Sequence, residues 1–197
     1  MFRSFGFSIL LASLLVITVH AVDCNEIVSQ KKVDDLISFL KMRAQKSDPE
    51  SVSQAITRLG DLRAPSGVEV LITFLDFERP QSRRERAGVA DMHDKFPAVP
   101  ALVSIGVPAI PALLETLKGE MNQAARENAI RSVVFSHDDD PPRAIGIFKL
   151  ASAKARTKEG SLHMESSARE AVKFCSSSWR YRCEAALAAP TETEGPK

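Results

Sequence analysis

The chain is short of aromatic side chains, of net charge and of cysteine, and each shortage narrows what it can be. Aromatics are 6% of 197 residues, with one Trp and one Tyr. An all-β fold, which leans on aromatic and β-branched residues, is therefore a poor fit. Lys plus Arg number 26 against 25 Asp plus Glu, a formal net charge of +1. A dedicated nucleic-acid binder carries a clear basic excess, so no nucleic acid is predicted as a partner. The same balance excludes an acidic solvating chain. The 44% apolar share is enough to build a core, which argues against wholesale disorder. No G-x-S-x-G, H-E-x-x-H, P-loop or G-x-G-x-x-G run is present. That argues against the hydrolases, zinc proteases and nucleotide-binding enzymes built on those motifs. The chain is read as non-enzymatic, with no cofactor and no metal.

What is present begins with an address. Arg3 gives a short positive start, and Phe5 to Val19 follow without a charge. Val19-His20-Ala21 then places small or β-branched residues where a signal peptidase reads. Residues 1–21 are predicted to be a secretory signal peptide cleaved after Ala21. A retained span needs about 20 apolar residues, and Asp23 and Glu26 arrive too soon. No stable membrane insertion is expected after cleavage, and the mature chain is expected to be secreted or periplasmic. A lipoprotein anchored through Cys24 is disfavoured because Asp23 stands where a small residue is needed. Cleavage removes Arg3 and no acid, so the 26 bases become 25 against 25 acids and the net charge becomes zero. Any electrostatic attraction is then local.

The periodic signal is helical throughout. Residues 22–46 read as an N-terminal capping helix, over Asp23 to Gln45, with Val33, Leu36, Ile37 and Leu40 on one face. Asp23 with Glu26 suits its capping box. Asp48-Pro49 is a helix start, an N-cap followed by proline where a missing N–H costs nothing. Val52, Ala55, Ile56 and Leu59 repeat the spacing, and Gly60 is predicted to end that helix in the left-handed conformation. After Arg63-Ala64-Pro65, Ser66 with Glu69 reads as a second capping box before the stripe Val68, Leu71, Ile72 and Leu75. This is a helical hairpin of about thirty residues.

The hairpin recurs. Ala101 to Gly106 parallels Ala55 to Gly60, and Ile110 to Lys118 parallels Val68 to Asp76. A third pair starts at Asn122, with Ala129, Ile130, Val133 and Val134, and returns after Pro141-Pro142 with Ala144, Ile147, Phe148 and Ala151. A fourth, weaker pair carries Ala168, Ala171, Val172 and Cys175, then Trp179, Cys183, Ala186 and Leu187. Pro65, Pro108, Pro111 and Pro142 fix the turns near helix starts. Residues 188–197 read as a frayed polar tail.

The stretch Ala101-Leu102-Val103-Ser104-Ile105-Gly106-Val107-Pro108-Ala109-Ile110-Pro111-Ala112-Leu113-Leu114 resembles a HEAT-type repeat. Ala55 to Gly60 with its following helix is similar. In that family the first helix ends at an apolar-Gly pair and the second opens at a Pro. The resemblance is close over 98–118, weaker over 49–76 and 122–152, and vague over 161–189. The fourth unit lacks the apolar-Gly ending, and a long insertion precedes the best repeat. The resemblance implies an all-α fold, a short α-solenoid of antiparallel helical hairpins over residues 47–187, acting as a protein-interaction scaffold. HEAT-like modules also occur in bilin lyases, but no motif here carries such chemistry. Stacking of exposed terminal repeats makes self-association the alternative, and a ligand site near His93 and the arginines is a third reading.

Candidate contact residues cluster in the irregular segment 78–97. Arg79, Arg83, Arg84 and Arg86 are partly offset by Glu78 and Glu85. They suit contact with another protein, while a solvated helix with internal ion pairs would look the same. His137-Asp138-Asp139-Asp140 has ligand-type residues without the spaced, Gly-kinked loop that calcium requires, so capping of the next helix is expected instead. His93 and His163 are read as surface histidines. Ser176-Ser177-Ser178 marks a turn where serine is expected as a cap. Cys175 and Cys183 flank that turn. They face each other if it centres on Trp179, but lie too far apart if it is confined to Ser176–Ser178, in which case they are two small core residues. Cys24 is left unpaired.

Overall fold

A computed structural model describes residues 24–42, 46–80 and 95–191, with side chains from Gln30 onward. Among the described residues the secondary structure is helical, without strands. The α-helices are α1 (Cys24–Met42), α2 (Pro49–Asp61), α3 (Val68–Ile72), α4 (Ala98–Ile105), α5 (Ile110–Leu117), α6 (Gln123–Phe135), α7 (Pro141–Ala153), α8 (Lys158–Ala171) and α9 (Arg180–Ala188). The signal segment 1–21, with Ala21, lies outside the described residues, as do Arg43 to Gln45 and the capping box of Asp23.

Helix starts follow the side chains that can accept from a free backbone N–H. Asp48 accepts from the Ser51 N–H at 2.9 Å, with Pro49 at the first position of α2. Asn122 accepts from the Ala125 N–H at 2.8 Å, and Thr157 from the Gly160 N–H at 3.0 Å. The predicted box at Ser66 and Glu69 does not form. The chain enters α3 through a 3₁₀ turn, Pro65–Gly67, and α5 through another, Val107–Ala109, neither with a side-chain cap. A 3₁₀ turn satisfies its own first donors by i to i+3 bonds, which leaves Ser66 nothing to cap. The three acids before α7 also fail to cap: Asp140 is the N-cap residue, yet its side chain makes no cap bond.

Gly60 corrects a second expectation. It sits inside α2, fully buried, and the left-handed residue is Arg63, at φ 46°. The glycine answers to a distant partner. A Cβ there would lie 2.6 Å from the Ala101 Cα and 2.8 Å from its Cβ, so α2 and α4 cross with backbones in close approach. Gly106, by contrast, does hold a positive φ of 76° at the end of α4.

One buried core is continuous from α1 to α9. Ile56, Leu59, Leu71, Leu75, Leu102, Leu113, Leu117, Ile130, Ile145, Phe148 and Met164 are fully buried. α2 packs on α4, α4 on α6 and α6 on α8, while α3 touches α5 and α7 packs on both α8 and α9. α1 covers α2 and α3 through Val33 and Leu40, with Leu36, Ile37 and Phe39 half-buried. In α7 the apolar face is rotated from its predicted position: Ile145 is buried and Ile147 only partly so, because α7 meets α8 and α9 at once. α8 also reaches α5, and polar bonds tie it both to the end of α5 and to α6. His163 Nδ1 meets the Lys118 carbonyl at 2.9 Å, and Arg126 donates to the His163 carbonyl at 2.8 Å and to Ser167 Oγ at 3.1 Å. His163 is thus a half-buried link between elements, not a surface histidine. Among the described residues no single helix is long and apolar enough to cross a membrane.

Candidate functional site

The sequence points to the arginines of segment 78–97, and the structure fixes the two ends of that segment. The Arg79 N–H donates to the Lys95 carbonyl at 2.9 Å, which holds these two residues side by side. Lys95 reaches Glu78 at 3.1 Å and lies 4.9 Å from the centre of the Phe96 ring. Phe96 itself is buried, so the closure is anchored in the core. Arg83, Arg84, Arg86 and His93 lie outside the described residues.

Arg79 is partly buried and lines a groove of about 340 Å³ on the outer side of the α2–α4 crossing. α2 contributes Glu50, Gln54, Arg58 and Asp61 at successive turns of one face, and Pro97 and Pro100 form the opposite wall. Arg58 and Asp61 pair at 3.6 Å and Gln54 bonds Glu50 at 3.3 Å. Both signs of charge and a carboxamide thus face one furrow between helices. The close approach of Gly60 and Ala101 forms the floor beside it. Such a furrow can hold a polypeptide by hydrogen bonds and charge pairs. Of its hydroxyls, that of Thr57 donates to the Ser53 carbonyl at 3.0 Å.

A larger cleft, about 780 Å³, lies between α1, α2 and α3. Its walls are Leu40, Val52, Val70, Phe74 and Phe77, with Lys41 and Glu69 at the edge. The Thr73 hydroxyl there is already spent on the Val70 carbonyl at 2.7 Å. Polar groups do not converge in it as they do in most ligand sites.

The ligand-type residues do not assemble. His137 is buried in the turn after α6, and its Nδ1 lies 3.1 Å from the Val133 carbonyl of that helix, while Asp138 and Asp139 face solvent. Among the described residues no group of His, Cys, Asp and Glu is placed to hold a metal ion.

Cys175 and Cys183 are bonded to each other, with Cα atoms 6.8 Å apart. The chain leaves the 3₁₀ turn Val172–Phe174 in an extended conformation at Cys175, passes Ser176–Ser178 and starts α9 at Arg180 with Trp179 as its N-cap. The turn is broad enough to bring the first turn of α9 back over Cys175. The serines do not cap α9; Ser176 Oγ and Ser178 Oγ lie 2.9 Å apart, in contact with each other.

One polar cluster gave no warning in the sequence. Asn128 donates to the Leu75 carbonyl at 2.7 Å and accepts from Arg131 Nη1 at 2.7 Å, all buried. The Arg131 guanidinium lies 4.8 Å from the centre of the Phe174 ring. Burial lowers the pKa of Arg131, and the nearby Glu127 opposes the shift. Arg131 follows Ile130 in the apolar stripe, and nothing in its spacing separates an inward arginine from a solvated one. No protein-family model, curated protein or solved structure matches the chain.

Proposed function

We propose that the chain is an exported, non-enzymatic HEAT-like repeat scaffold that binds another protein along the α2–α4 face, with Arg79, Arg83, Arg84 and Arg86 at the contact. The observation that carries this reading is the groove where Arg79 meets the polar face of α2, at the base of the arginine-rich segment. The successive packing of α2, α4, α6 and α8, with α3 touching α5 and α7 touching α9, supports a two-row reading, although α5 and α7 do not form a substantial contact in the second row. The α5–α8 contact is a local departure from that plan. Export rests on residues 1–21, and a disulfide is compatible with an oxidising compartment.

Charge reversal of all four arginines to Glu tests the site. Wild-type and reversed proteins, matched by circular dichroism, are used to capture partners from the extracytoplasmic fraction of the source cells. A partner retained by the wild type and lost by the variant is the expected result. Equal capture by both overturns the site.

A further inference from the structure

The last helix is attached differently from the rest. Of its side chains only Cys183 is buried; Ala186 and Leu187 are half-buried, and Tyr181 is 81% exposed. A nine-residue helix is not stable alone, so its place depends on what fastens it. Two fastenings are visible. At its start, the Cys175–Cys183 bond ties the first turn to the 3₁₀ turn after α8. At its end, Lys149 of α7 donates to the carbonyls of Ala186 at 3.1 Å, Leu187 at 3.0 Å and Ala189. The ammonium thus spends its donors on the C-terminal carbonyls of α9, where the helix dipole favours a cation. Leu187 and residues 189–191 in turn form the outer wall of a groove of about 570 Å³ between α7 and α8, which also holds Ser152, Glu165 and Arg169.

We propose that α9 with residues 189–191 is a redox-gated strap: oxidised Cys175–Cys183 and the Lys149 clamp hold it down as a wall of the α7–α8 groove, and reduction releases it while the remaining helices stay packed. Both cysteines are buried, at 2% and 0% exposure, so a reductant reaches the sulfurs only when the strap lifts. The reductant is a dithiol. One thiolate attacks a protein sulfur, the S–S bond breaks, and a mixed disulfide forms. The second thiol closes the reagent into a cyclic disulfide, and both protein sulfurs leave as thiols, taking two electrons and two protons. Without the bond, Trp179, Ala186, Leu187 and the Lys149 clamp are the main fastenings that remain, against the entropy of the freed chain.

Hydrogen exchange with mass-spectrometric readout tests this on the full chain, oxidised, treated with dithiothreitol, and as the Cys175→Ser/Cys183→Ser variant. Exchange over 180–188 is expected to rise about tenfold or more in both reduced states, with 52–60 and 101–105 unchanged. Unchanged exchange over 180–188 overturns the strap, and so does a general loss of protection, which would make the bond a staple for the whole fold. Lys149→Met tests the second fastening. The rate at which dithiothreitol exposes titratable thiols in the oxidised protein is expected to rise several-fold, and an unchanged rate removes Lys149 from the device.

Discussion

At the residue scale, two positions carry more than their chemistry suggests. Gly60 is held by Ala101, not by a turn, so a side chain there must push two helices apart. Gly60→Val is expected to cost at least about 2 kcal/mol, read from the midpoint of chemical denaturation. A cost below about 0.5 kcal/mol would mean that the crossing is loose. Asn128 and Arg131 make a sharper contrast. Asn128→Ala strands both the Leu75 carbonyl and the buried guanidinium, and should cost about 2–4 kcal/mol. Arg131→Met removes the charge together with its desolvation and should cost about 1 kcal/mol. The reverse order would show that the cation itself holds α6 against the turn at Phe174.

At the element scale, two exposed carboxylates, one at the start of α2 and one near the end of α5, contribute to acid stability. Asp48 has a pKa below the usual carboxylate range because the Ser51 hydroxyl and N–H donate to it, and Glu115 is held down by Lys118 at 2.6 Å. The unfolded chain binds these protons more readily. Their contribution is therefore complete above the ordinary carboxylate pKa values and is lost as pH falls through the folded ones, below about pH 4. Denaturation midpoints measured from pH 6 to pH 2.5 should decline in the acid limb, and Asp48→Asn should make that limb shallower, since asparagine still caps but does not titrate. Caps of this kind were readable in the sequence at Asp48 and Asn122, where an acceptor side chain precedes a clear apolar period. The Thr157 cap was missed because the stretch Lys154 to Lys158 reads as a charged loop. Ser66 was misread because a 3₁₀ entry satisfies the same donors. The helices themselves were legible, since a 3.6-residue stripe is a local signal. The groove was not, because it exists only where α2 crosses α4, and neither helix records the other's position.

At the scale of the whole molecule, the outward face of α1 is charged. α1 turns Lys31, Lys32, Asp34 and Asp35 outward while Val33 and Leu40 face the core. On the proposed scaffold such a helix would cover one end and discourage end-to-end stacking. Light scattering across a concentration series should return one monomeric mass; a mass that climbs with concentration would favour self-assembly over a monomeric adaptor. The bond between the Arg79 N–H and the Lys95 carbonyl has a consequence for how this molecule can change. It holds residues 79 and 95 side by side, whatever length of chain joins them. Loop-closure entropy grows only slowly with length, by about 0.6 kcal/mol per doubling. Changes of length between Arg79 and Lys95 are therefore expected to leave the core in place as long as this bond and the buried Phe96 are kept.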